Sequence, residues 1–255
     1  MQFVDTHCHI HFPDYELDTD EVRRTAEQNG VTRLLCVGCR LSDSRSAVDY
    51  AARHENIWAS IGLHPHEADR YVHDHGKLQQ FRSLVIKPKV VAVGEVGLDY
   101  FYGHSSAENQ HKLLRFQLDL AAEHNLPLIF HVREAFDDFW PIFDDYKGLR
   151  GVVHSFSATG KELAQILERD LYVGLNGIMT FTKKAEQLDA AKNVPLNRLL
   201  LETDAPYLTP VPFRGKICEP RHVVVTAKFL AKLRGESLED LAVATTQNAR
   251  RLFKI

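Results

Sequence analysis

Two histidines one residue apart close the first apolar stretch of the chain, Met1-Gln-Phe-Val-Asp-Thr-His-Cys-His9. Alternate side chains of a strand share a face, so Asp5, His7 and His9 are expected to point the same way. Two imidazoles on one face can grip a cation with little backbone distortion, and imidazole suits zinc and other divalent first-row metals. Alone, the pair is equally well an ordinary polar strand end. The device recurs, however: His64, Glu95, His131, His154 and Asp204 each close a further apolar run. Even without His64, four imidazoles and two carboxylates exceed what one tetrahedral zinc needs, and they suit two divalent ions sharing a bridging group. Such a pair acidifies bound water and clamps the oxygens of a phosphoryl or carbonyl group.

Elements of regular spacing must position these groups. Apolar, β-branched runs predict strands at 3–10, 31–37, 57–63, 90–95, 126–131, 151–154, 171–175 and 198–203. Helical patterns fall between them, at 18–28, 42–54, 76–85, 105–124, 135–146, 159–168 and 184–192. Capping boxes are read at Ser105-x-x-Glu108 and Thr159-x-x-Glu162, and Asn29-Gly30 reads as a helix stop. A Pro- and Gly-rich loop at 205–219 precedes a helix from Pro220 to Arg234, and two short helices follow, near Ser237 and Gln247. The strands lack alternation, as in a parallel sheet buried on both faces. Eight strands alternating with helices predict an α/β fold of the (β/α)8 TIM-barrel type, possibly distorted, as one domain over residues 1–255. A doubly wound open sheet is the runner-up, but no Gly-x-Gly-x-x-Gly follows an early strand. In a barrel, the carboxyl ends of the strands meet where such enzymes carry their chemistry.

Composition narrows the classes. With 44% hydrophobic and 25% charged residues, the chain is neither disordered nor fibrous. A net charge of −3 gives no global basic field of the kind many structural DNA binders show. No membrane-length apolar run or signal-peptide pattern is present, so the expected location is cytoplasmic. Cys36-Val-Gly-Cys39 matches C-x-x-C, but without a second pair it reads better as buried small hydrophobes than as half a zinc knuckle.

Asp5-Thr-His-Cys-His9, Gly62-Leu-His-Pro-His66, Gly94-Glu-Val-Gly-Leu-Asp99, Pro127–His131 and Glu202-Thr-Asp-Ala-Pro-Tyr-Leu208 together resemble the TatD family of metal-dependent hydrolases. Arg214-Gly-Lys216, Glu219-Pro220 and Asn248–Phe253 extend the resemblance over the whole chain. The resemblance implies a metallo-dependent hydrolase barrel and a divalent-metal deoxyribonuclease, cleaving phosphodiesters in single strands or at ends by a two-metal-activated hydroxide. One metal would take His7, His9, Glu95 and Asp204, and the other Glu95, His131 and His154, with Asp204 and Glu95 as the catalytic carboxylates. Two ions per chain are implied, drawn from Zn, Mn, Mg, Co or Fe. His64 reads as a phosphate contact, and Glu202 either shapes the site or helps hold a further ion.

Arg133, Arg214 and Lys216 are candidate phosphate contacts. Tyr100, Phe101, Tyr102, Phe181 and Tyr207 are candidate stacking faces for bases. The remaining histidines, among them His11, His66 and His222, read mostly as surface residues. Val132, Ser155, Ala158, Asn176 and Cys218 depart from the family pattern, and these positions bear on substrate preference. DNA is the expected partner, with neither a membrane nor an obligate protein partner. The rival readings are a small-molecule amidohydrolase, lactonase or phosphoesterase using the same ions, and a metal-stabilised scaffold without catalysis.

Overall fold

A computed structural model describes all residues 1–255. Its strands are β1 (Phe3–Cys8), β2 (Val31–Val37), β3 (Ile57–Ile61), β4 (Val90–Asp99), β5 (Leu128–Arg133), β6 (Gly151–Val153), β7 (Tyr172–Leu175) and β8 (Leu199–Leu201). The helices are α1 (Thr19–Gln28), α2 (Leu41–Ala52), α3 (Ala68–Tyr71), α4 (His75–Arg82), α5 (Ala107–His124), α6 (Phe136–Asp144), α7 (Gly160–Glu168), α8 (Ala185–Asn193), α9 (Val223–Arg234) and α10 (Leu238–Phe253). The strands form one eight-stranded sheet in the order β1 to β8. Every pair of known register runs parallel. Just beyond β8, Ala205 bridges Cys8 in parallel, as a ring of strands requires. The fold is that of a (β/α)8 barrel.

The chain divides into two compact units, residues 1–36 with 154–255, and residues 37–153. In the first, all six residues of β1 and all of β7 and β8 are buried, which explains their lack of alternation. Asn248 on α10 donates to the carbonyls of Leu196 and Leu199 at 2.9 Å each, pinning that helix to the start of β8. In the second, Phe130 on β5 meets Phe139 and Phe143 of α6 edge to face, with centroids 5.1 and 5.7 Å apart.

Several sequence expectations change. Ser106, not Ser105, caps α5 by accepting from Asn109 N–H; the Ser105 hydroxyl instead donates to the His66 carbonyl at 2.8 Å. The Thr159–Glu162 capping box forms as read. The two short C-terminal helices are one, because Leu241, Thr245, Asn248, Ala249 and Leu252 bury a continuous face across the weak helix formers Thr245 and Thr246. Strand β4 runs on past Glu95 to Asp99, where the apolar run ends. Gly97 permits this: at φ 151° it lies so close to β5 that a Cβ would collide with the His131 carbonyl.

Candidate metal centre

The first unit gathers its donors on β1 and on the turn after β8. His7 and His9 alternate along the strand and are buried, with Nε2 atoms 3.1 Å apart. Asp204 Oδ1 lies 3.6 Å from His7 Nε2 and 3.2 Å from His9 Nε2. Ligands held tetrahedrally at zinc-type bond lengths are roughly 3.3 Å apart, so these three atoms already have the spacing that a shared cation imposes. Two imidazole nitrogens and a carboxylate oxygen facing one another repel unless a proton or cation lies among them. This donor set fits a divalent metal.

The His154 ring stacks on His7, centroids 3.8 Å apart, and ligand atoms of His7, His154 and Glu202 lie within 4.8 Å of one another. Glu202 also accepts from Ser155 N–H at 2.5 Å, and Gly174 leaves the room its carboxylate occupies. Asp204 and Ser155 take φ of 65° and 50°, a region few non-glycine residues adopt and one that recurs at functional sites. Burial raises the Asp204 pKa, but the His9 hydrogen bond and the His154, His7 and His9 charges outweigh it and hold the carboxyl below its usual range. Asp5, which accepts the His7 backbone N–H, behaves oppositely. Burial pushes it up to about 8, against hydrogen bonds from Thr203 and the His7 N–H and with Glu202 adding to the rise.

The second unit places Glu95 mid-strand on β4 and His131 on β5. His131 Nδ1 lies 2.8 Å from Glu95 Oε1, and His131 Nε2 lies 2.8 Å from Asp99 Oδ2. The same Asp99 oxygen meets His66 Nε2 at 3.0 Å. Burial raises the Asp99 pKa, but hydrogen bonds from His131, His66 and the Tyr102 N–H drive it well below the carboxylate range. His64 Nε2 lies 3.5 Å from Glu95 Oε1, and ligand atoms of His64, Glu95 and His131 fall within 4.8 Å of one another. His64 Nδ1, however, accepts the His66 N–H at 3.2 Å. A neutral imidazole that accepts at Nδ1 carries its proton on Nε2, so His64 faces Glu95 as a donor rather than a ligand. Burial lowers its pKa to about 4, which keeps it neutral near pH 7.

The substrate candidates are placed as follows. The Arg133 guanidinium lies 4.0 Å from the Phe101 centroid and 4.8 Å from that of Tyr102, whose far face stacks on His104. The Tyr100 hydroxyl donates to Asp138 Oδ2 at 2.7 Å and lies 2.6 Å from His111 Nε2. Arg214 sits 3.9 Å over Phe181 and donates to the Thr209 carbonyl at 2.9 Å. Two departures from the family pattern meet each other, since Asn176 Nδ2 donates to Ser155 Oγ at 2.9 Å beside His154 and Glu202.

Sequence reasoning missed Asp99, His66 and Thr203 as parts of the site, and placed Asp5 on the His7 face without a role. The signal for Asp99 was parity: Glu95, Gly97 and Asp99 share a strand face once β4 extends beyond Glu95. His66 is half-buried on Asp99, and His11 and His222 are buried, so none of the three is the surface residue expected. Cys39 is half-buried and its thiol donates to Glu95 Oε2 at 3.5 Å, so it is not simply a small hydrophobe.

The comparisons agree with this chemistry. The chain is 38% identical over 262 residues to the uncharacterized metal-dependent hydrolase YcfH of Escherichia coli strain K12, covering 100% of this chain and 97% of that one. It is 35% identical to the 3'-5' ssDNA/RNA exonuclease TatD of Citrobacter rodentium, covering 93% and 92% of the two chains. The crystal structure of the TatD homolog YJJV from Escherichia coli K12 superposes with a TM-score of 0.92 at 31% identity, over 99% of this chain and 98% of that one. The family described as TatD related DNase matches residues 4–254. With that match over nearly its whole length, the chain belongs to the TatD-related family and is a metal-dependent hydrolase.

Proposed function

We propose that this hydrolase is a deoxyribonuclease that cleaves phosphodiester bonds in single strands or at ends, using two divalent ions. The observation that carries it is the approach of His7 Nε2, His9 Nε2 and Asp204 Oδ1 to within 3.1–3.6 Å of one another. The printed activity of the Citrobacter relative supports the substrate class. One ion is assigned to His7, His9, Glu95 and Asp204, and the other to Glu95, His131 and His154. Assigning Glu95 to both rests on the membership in the TatD-related family. When bound, the ions polarise a phosphoryl oxygen and acidify water near neutral pH.

The chain's own groups supply the rest. The Asp204 carboxylate accepts the proton of the attacking water, as a general base within hydrogen-bond reach does. His64 Nε2–H donates to a phosphate oxygen. Arg133 and Arg214, each braced on an aromatic ring, carry charge to flanking phosphates. Tyr100 contributes its ring to the substrate, its hydroxyl being engaged by Asp138.

Purified protein titrated with Mn, Zn, Co, Fe or Mg, and assayed on labelled single- and double-stranded oligonucleotides with amide, lactone and small phosphodiester controls, tests the proposal. The expected result is metal-dependent oligonucleotide cleavage that is lost in Glu95→Ala. Turnover of the small-molecule controls alone would replace the nuclease reading with the amidohydrolase, lactonase or phosphoesterase one.

We also propose that the two units unfold as one domain, which a single coincident transition by fluorescence and circular dichroism would support. No helix is long and apolar enough to cross a membrane. The four free cysteines suit the reducing cytoplasm, where we place the activity.

A further inference from the structure

Asp99 is fully buried at the end of β4, and neither of its oxygens is spare. Oδ2 receives His131 Nε2 at 2.8 Å and His66 Nε2 at 3.0 Å. Oδ1 receives the backbone N–H groups of Phe101 at 3.0 Å and Tyr102 at 3.1 Å. A carboxylate has about four lone-pair sites, and all are taken here, so Asp99 is not itself a metal ligand. Its backbone is held as firmly. Gln110 Oε1 accepts the Asp99 N–H at 2.8 Å, while Gln110 Nε2 donates to the Asp99 and Ser105 carbonyls. The carboxylate cannot turn away from either set of donors without breaking several hydrogen bonds.

This arrangement decides which nitrogen His131 offers. A saturated anionic acceptor at Nε2 keeps the imidazole proton there, so Nδ1, 2.8 Å from Glu95 Oε1, is the nitrogen left to exchange a proton for a cation. The other oxygen of the same group fixes the turn that carries Phe101 and Tyr102, the two rings on which Arg133 lies. We propose that Asp99 is a positioning residue: it makes His131 ligate through Nδ1, and it sets the Arg133 shelf in register with that ligand. The inference rests on the reading of His131 as a metal ligand.

Asp99→Asn tests it, because the amide keeps the shape but presents an NH2 where an acceptor stood. Whichever way it turns, donors meet donors, either at the two imidazoles or at the two backbone N–H groups. The expected result is loss of one of two bound Zn ions, or a 10- to 100-fold weaker second binding event by calorimetry, the range typical of outer-sphere partners. Oligonucleotide KM should also rise as the shelf loosens. His66→Gln, which removes only the ring sharing Oδ2, should leave the second binding event within threefold of wild type.

A second measurement needs no variant. In the Zn-loaded wild-type protein, long-range proton–nitrogen spectra should show His131 protonated at Nε2 and ligated at Nδ1. Ligation through Nε2, or Asp99→Asn binding both ions with wild-type affinity, overturns the proposal. Two tightly bound Zn ions in His131→Ala would instead remove the ligand assignment on which it stands, so the two failures are told apart.

Discussion

Each unit contains a buried carboxylate bonded to a candidate metal-binding histidine, through the backbone N–H of His7 in one and the ring of His131 in the other, and the two carboxylates differ in charge. Asp5 accepts the His7 backbone N–H and is pushed up to about 8, so it is largely protonated at neutral pH. Asp99 stands behind His131 and is held well below the carboxylate range. Burial raises both. Asp99 is rescued by two imidazoles and two N–H groups, whereas Asp5 has two N–H groups and the Thr203 hydroxyl, but no imidazole, to set against burial and the nearby Glu202. A buried carboxylate keeps its charge only where enough donors, some able to carry positive charge, converge on it. The comparison separates two designs. The β1 half draws its acidic candidate ligand from far along the chain, at Asp204. The β4 half keeps two acids on one strand, Glu95 towards the ligands and Asp99 behind them.

The sharpest test of this contrast is ligand removal in each half. His9→Ala and His131→Ala should each cut metal-dependent turnover beyond the roughly 100-fold that outer-sphere losses reach. Both should keep a wild-type far-ultraviolet circular dichroism spectrum. Retained activity in either one would break the equivalence of the halves.

Asp204→Asn follows in size. It is expected to lower kcat by roughly 10²–10⁴-fold, the range of a lost general base, with a smaller change in oligonucleotide affinity measured by anisotropy. A KM effect alone would recast Asp204 as a binding residue.

His64 comes next. Because it presents an N–H, His64→Gln should retain activity within about tenfold, while His64→Ala should raise KM further. Equal loss of bound metal in both variants would make it a ligand after all.

The last contrast lies in stability rather than turnover. Asp5 has its folded pKa raised to about 8, so its contribution is fully present below its unfolded pKa of about 3.9 and is lost as pH rises through about 8. Asp99 has the opposite sign: its contribution is present above the unfolded pKa and is lost as pH falls through the depressed folded one. In metal-free protein, urea denaturation between pH 5 and 8 should therefore show a decline in stability that Asp5→Asn flattens. Each unit by which the Asp5 pKa is raised corresponds to about 1.4 kcal/mol. An unchanged slope in Asp5→Asn would mean that Asp5 is ionised like its counterpart.

Much of this was legible in one dimension. The alternation Asp5, His7, His9, the pair Glu202 and Asp204, and the placement of each donor near the end of an apolar run follow from period-2 geometry and β-branched composition. Helix α7 and its cap were equally readable, because capping is a four-residue affair. The sequence places the end of β4 at Glu95, and only the close packing of Gly97 on β5 shows that the strand continues and why a glycine is needed there. The Ser105 cap went wrong for a related reason. The two adjacent serines are locally equivalent, and contact with the His66 carbonyl settles which one leaves the helix.

Residue type and spacing alone therefore determined that this chain carries imidazoles and carboxylates at the ends of parallel strands. Tertiary structure decided which nitrogen of His64 and His131 bears a proton, that Asp99 is charged, and that Asp5 is largely not. The physical reason is that a proton's position depends on every donor and acceptor within about 3 Å. Here those partners come from residues 32 positions away in one half and 198 in the other.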